Sequence, residues 1–117
     1  MTSTSPVDLT ALPTAIGAYL AAHAARDADA FERLFTPDAT VTDEGRAHHG
    51  IEAIQRWRRT ASSQYTYTAR LTGAERTDSA HAVVTQHLEG DFPGGVVDLR
   101  FRFTLDGDRI ADLTIAP

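Results

Sequence analysis

The stretch Phe35 to Gly50, FTPDATVTDEGRAHHG, gathers residue types that proton transfer and metal binding both use: Asp43 ends a β-branched run, and Glu44, Arg46, His48 and His49 follow it. Alternation along an extended segment puts Val41 and Asp43 on one face, and Thr40, Thr42 and Glu44 on the other. If Val41 points into a core, so does Asp43. A carboxylate among apolar side chains is poorly hydrated, which disfavours its charge and suits it to accept a proton near neutral pH. The competing reading is an aspartate that caps the turn before EGRAHHG. Glu44 reads as a solvated edge residue. His48 and His49 are adjacent and diverge in extended structure, and no HxH or HxxxH spacing supplies a second pair, so no metal site is expected. His49, beside Gly50, reads as the lead into a helix, within reach of Asp43 across the turn.

A second pair lies nearer the N-terminus. Tyr19 and His23 are four residues apart, which on a helix stacks them one turn apart on a single stripe. A tyrosine hydroxyl can donate to a ligand oxygen, and a histidine can relay protons or orient that hydroxyl. The same two residues read equally as a core aromatic and an interhelix contact. The chain has no cysteine, which removes thiolate ligands, thiol nucleophiles and disulfides.

The elements that must carry these groups follow from periodicity. Leu12, Ile16, Leu20 and His23, with Tyr19 beside them, predict a helix over Thr10 to Ala25, with Pro13 tolerated in its first turn. In RDADAFERLF, Asp29 and Glu32 form a capping-box pattern, and Phe31, Leu34 and Phe35 give a second helix its apolar face, stopped by TPD. ATVTD predicts a strand. HGIEAIQRWRRTA predicts a third helix after Gly50, with Ile51, Ile54 and Trp57 on one side. From Gln64 the period becomes two, and YTYTARLTGAERT, SAHAVVTQHLEGDF, VVDLRFRFTL and RIADLTIA predict four strands joined by turns. Helices first and a meander after predict an α+β fold, with helices packed on one face of a curved, mostly antiparallel sheet. The 117 residues fit a leader over 1–9 and one domain over 10–117.

This order, together with YLAAHAARDADAFERLFTPDATVTD, HHGIEAIQRW and LRFRFTLDGDRIADLTI, resembles the nuclear transport factor 2-like superfamily, in its SnoaL-like and ketosteroid isomerase branches. The resemblance implies a cone-shaped fold of three helices on a strongly curved sheet that encloses a pocket. It implies that Asp43 holds the proton-shuttling position and Tyr19 the oxygen-holding position; His23, one turn from Tyr19, is then expected in support. It places Leu99 where the isomerases carry a protonated aspartate, while Asp98 is one residue out of phase and so on the opposite face. In the same register Ala82, Val84, Gln86 and Leu88 turn inward, and His81, Val83, Thr85, His87 and Glu89 outward. Trp57, Gln86, Phe35, Val84, Leu99, Phe101 and Leu113 are then the expected ligand-binding residues.

The expected function is binding of an apolar, oxygen-bearing small molecule, with cofactor-independent acid and base chemistry of isomerase, cyclase or dehydratase/hydrolase type. A non-catalytic ligand-binding or dimerisation module of the same fold is the alternative. Neither metal nor cofactor is expected. Acidic residues outnumber basic ones 16 to 11, and every Lys or Arg is arginine, so a phosphate-tracking nucleic-acid partner is not expected. Without an apolar run of about 20 residues, no membrane span is expected, and the location implied is cytoplasmic. The resemblance adds a homodimer paired through the outer face of the sheet.

Overall fold

The computed structural model describes residues 13–25, 28–64, 66–78 and 80–117, and within these the side chains of 23–25, 28 and 61–64 are not described. The expected leader over 1–9 and the first turn of helix one lie outside the described residues. The chain runs α1 (Thr14–Ala25), α2 (Ala28–Arg33), β1 (Phe35–Asp43), β2 (Arg46–His49), α3 (Ile51–Gln64), β3 (Tyr67–Arg76), β4 (His81–Gly90), β5 (Val96–Asp106) and β6 (Arg109–Ala116). Six strands form one curved sheet in the order β2-β1-β6-β5-β4-β3. Every pairing is antiparallel except β1 with β6. Among the described residues, no helix is long and apolar enough to cross a membrane.

Helix α1 buries Ala15, Ile16, Tyr19 and Ala22, a stripe at helical spacing, with Leu20 packed at its margin. Pro13 precedes the helix rather than sitting inside it, and its carbonyl accepts from the Ile16 and Gly17 amides. Helix α3 presents Ile54, Trp57 and Arg58 to the protein. Its start is set by Gly50, whose φ of 87° favours glycine, whose amide donates to the Ala39 carbonyl and whose carbonyl accepts from Ile54. The buried Arg58 guanidinium lies 5.6 Å above the Phe31 ring, and its Nε donates to Gln55 Oε1 at 3.1 Å.

Two expectations are corrected by the sheet. Phe35 belongs to β1 and not to the second helix. That helix stops at Arg33 because Ile110 on β6 donates its amide to the Leu34 carbonyl at 2.7 Å and draws the chain into parallel pairing. Pro37, which has no amide to give a ladder, falls where the β1–β6 register shifts, between Phe35 and Thr40. The second correction concerns EGRAHHG, which is not simply a turn. Glu44 and Gly45 have φ of 54° and 76°, the pattern of a type I′ two-residue turn, and β2 folds back antiparallel on β1. Asp43 pairs with Arg46 and Val41 with His48, so β2 extends the inner face.

The core joins the two layers through rings. Tyr19 has Phe31 at 5.5 Å, Phe35 at 6.2 Å and Phe103 at 5.4 Å between centroids, the last two edge to face, and Phe31 also stacks obliquely on Phe35 and Trp57. Along β5, Phe101, Phe103 and Leu105 are buried, with Val97 and Leu99 half-buried. Asp98, Arg100 and Arg102 are exposed, as period two requires.

The turn itself yields a stability test. Glu44 holds a left-handed conformation that strains an ordinary side chain by roughly 1–2 kcal/mol, and asparagine before glycine is the sequence best matched to this turn. Glu44→Asn is expected to raise unfolding free energy by about 1 kcal/mol in urea titration. No gain would contradict the type I′ assignment.

Candidate functional site

Asp43 stands at the end of β1, between Ile115 of β6 and Arg46 of β2 in the ladders, and is half-buried. Its Oδ2 accepts a hydrogen bond from Trp57 Nε1 at 3.0 Å. Trp57 is only 7% exposed, and His48 lies 6.1 Å from it, ring to ring. One carboxylate oxygen is thus fixed from α3, and an imidazole stands beside the fixing ring. His48 shares the inner face with Val41 and Asp43. His49 leads through Gly50 into α3 as expected, but it does not reach Asp43: it faces outward, exposed, and its Nδ1 is 2.9 Å from Thr40 Oγ1.

Tyr19 is 1% exposed at the centre of the aromatic cluster. Burial, and after it the fields of Tyr67 and then Asp43, hold its hydroxyl far above the ordinary tyrosine range, so it stays protonated and able to donate a hydrogen bond. His23 lies in α1, but its side chain is among those not described. Gln86 is half-buried and faces inward, between Leu71 of β3 and Leu99 of β5, while Ala82, Val84 and Leu88 beside it in phase are buried. Leu99 occupies the inner face at the position where the resemblance would require an acid, and Asp98 lies on the other side of the sheet.

The expected ligand-binding residues therefore separate by depth. Val84 and Leu113 show no exposed surface, Phe35 shows 2%, and all three pack in the core beneath the inner face. Phe101 and Trp57 keep 7% each, and Leu99 and Gln86 are half-buried. His48, beside Trp57, is not among the expected site residues; the signal for it lies in the hairpin turn that DEGR encodes.

The outer face holds a separate polar cluster. His87 Nδ1 lies 2.7 Å from Asp98 Oδ1 and its Nε2 lies 2.9 Å from Glu89 Oε2, with Arg70 opposite on β3. Hydrogen bonds that the imidazole donates to the Asp98 carboxylate, then to that of Glu89, raise the His87 pKa. Near the β3–β4 turn, the His81 imidazole and the Ala80 amide hold Asp78 below its usual value.

A family model described as a SnoaL-like domain matches residues 16–113. A crystal structure from Sinorhizobium meliloti, of a protein provisionally called a polyketide cyclase, is similar at 36% identity with a TM-score of 0.88. The match covers 94% of this chain and all of that one. A Catenulispora acidiphila protein with a ketosteroid isomerase-like fold, in complex with trimethylamine, shares 21% identity and a TM-score of 0.76, over 90% of this chain and 85% of that one. A Mycobacterium tuberculosis protein in complex with estradiol-17beta-hemisuccinate shares 15% identity and a TM-score of 0.73, over 88% and 90% respectively. These last two likenesses speak to the fold alone. No curated protein matches the chain.

The His87 cluster predicts a pH dependence with a definite sign. A pKa raised on folding gives stability that is complete below the unfolded histidine value of about 6.5 and is lost as pH rises through the folded value. Urea unfolding of wild type and His87→Gln should differ most near pH 6 and converge toward pH 8.5. A difference that grows with pH would reverse the assignment.

Proposed function

The chain belongs to the SnoaL-like domain family, and from that membership we propose that it binds an apolar small molecule bearing oxygen and performs acid and base chemistry on it without a cofactor. The observation that carries this reading is the Trp57–Asp43 hydrogen bond. A carboxylate held through one oxygen by a buried indole keeps the other oxygen aimed, and a base gains most from a fixed direction of attack. Asp43 takes the proton from carbon next to a ligand carbonyl, and the protonated Tyr19 hydroxyl donates to the oxygen on which charge develops. Gln86 and His23 are the supporting polar groups of this reading. Leu99, Phe101 and Trp57 supply apolar contact to the ligand body. Isomerisation, cyclisation and dehydration all share this first proton transfer.

A non-catalytic binding module of the same fold is the second reading, and Leu99 is the residue that favours it. A leucine on the inner face supplies no proton to a developing oxygen charge. For assembly, we propose a homodimer through the outer face, around Val83, Thr85 and His87 with Arg100 and Arg102 nearby. Sedimentation at tens of micromolar that returns the mass of a single chain would argue against it.

The catalytic reading is tested by hydrogen–deuterium exchange at carbon. Wild type is expected to accelerate exchange of α-protons in cyclic ketones or lactones in D2O, followed by NMR. Asp43→Asn keeps the shape and the Trp57 contact but removes the base, so the rate should fall on the order of a hundredfold or more, with folding intact. Equal exchange by both proteins would favour the binding module.

A further inference from the structure

We propose that His48, on β2, is a second proton-carrying residue beside Asp43, and that it serves carbonyl compounds with a further oxygen on the β carbon; this rests on the proposed reading of the site. The hairpin places it there. In the β1–β2 ladder Val41 pairs with His48 and Asp43 with Arg46. Val41 shows no exposed surface, so the residue opposite it turns to the same inner side, where Asp43 also lies two positions along. Asp43 and His48 are thus diagonal neighbours on one face, a spacing that aromatic and long side chains span.

Trp57 joins the two from α3. Its Nε1 donates to Asp43 Oδ2 at 3.0 Å, and its ring has the His48 imidazole at 6.1 Å between centroids, tilted by 35°. Carboxylate and imidazole therefore border one buried indole. His48 also differs from its fellow histidines. The ring nitrogens of His49, His81 and His87 are engaged by Thr40, by Asp78, and by Asp98 and Glu89. Among the described residues, none hydrogen-bonds to the half-buried His48 ring, so its nitrogens are open to a ligand. The backbone around it is held. The Glu44–Gly45 turn precedes it, and after it come the His49 contact to Thr40 and the Gly50 amide, which donates to the Ala39 carbonyl at 2.8 Å.

Isomerisation, cyclisation and dehydration part company after the first proton transfer. In isomerisation the acid formed at Asp43 returns its proton to carbon, and one group suffices. Loss of water needs a second, because the departing oxygen must gain a proton, and histidine is the side chain suited to give and retake one near neutral pH. Asp43 takes the α proton, and the C–H electron pair becomes the new C=C bond. The β C–O bond breaks with its pair on oxygen, and the His48 imidazolium gives that oxygen the proton that completes water. Asp43 then releases its proton to solvent and His48 takes one back, which balances the cycle. A base and an acid side by side on one face suit departure of hydrogen and hydroxyl from the same side of the ligand.

The test pairs two reactions. Loss of water from 3-hydroxycyclohexanone is followed by the ultraviolet absorbance of the enone, and α-proton exchange of cyclohexanone in D2O by NMR. His48→Phe keeps a ring beside Trp57 but carries no proton, so the ratio of elimination to exchange should fall on the order of a hundredfold. His48→Ala should lose as much and recover part of it when imidazole is added. Emission of Trp57, the only tryptophan, checks that each variant folds, and His48→Ala carries the comparison should His48→Phe not fold. An unchanged ratio in the folded variants, or no recovery with imidazole, overturns the inference. Wild type that exchanges α protons but eliminates no water overturns the inference alone. Wild type that does neither overturns the proposed reading with it.

Discussion

The burial of one phenol constrains the rest of this molecule. Tyr19 is the ring on which α1, α2, β1 and β5 meet, through Phe31, Phe35 and Phe103. Its ring is an excellent core element, but its hydroxyl cannot be buried among hydrocarbon without a penalty of a few kcal/mol. The side chains around that hydroxyl must therefore include polar groups, and the core cannot be closed by aliphatic packing alone. Ile16, Ala39, Val41 and Ile110 complete the apolar part. The fields of Tyr67 and Asp43 reach that hydroxyl.

Much of this arrangement is legible in the sequence, and where it is not, long-range pairing is the reason. The α1 stripe, α3 after Gly50 and the four-strand meander follow from local period. Even the facing of Gln86 inward and His87 outward agrees with the register the resemblance implied. Phe35 misleads because a helical pattern and a strand pattern overlap there, and only β6, some 75 residues further along the chain, decides between them. Strand β2 is short, polar and mostly exposed, so alternation cannot reveal it. Its turn could have done so, since a residue before glycine between two extended runs is hairpin chemistry.

The candidate site was legible residue by residue but not as an arrangement. Asp43, Tyr19 and Trp57 could each be picked out by type and phase. That Trp57 donates to Asp43 depends on how α3 docks across β1, and no pattern within either element carries that information.

The Trp57–Asp43 bond also couples packing to the orientation of a carboxylate in a way that separate residues would not. Trp57 touches Phe31 and His48 while holding the carboxylate, so its ring sets the angle between α3 and the sheet and its N–H sets the direction of the carboxylate. A smaller side chain at this position would loosen both at once. A different aromatic would keep the packing and free the carboxylate to turn. The carboxylate is aimed only as well as the helix is docked, and the helix is docked by the same rings that bury Tyr19. Core and site in this fold are therefore one network read from two sides: apolar contact fixes the scaffold, and the few polar atoms the scaffold must accommodate are the ones it can use.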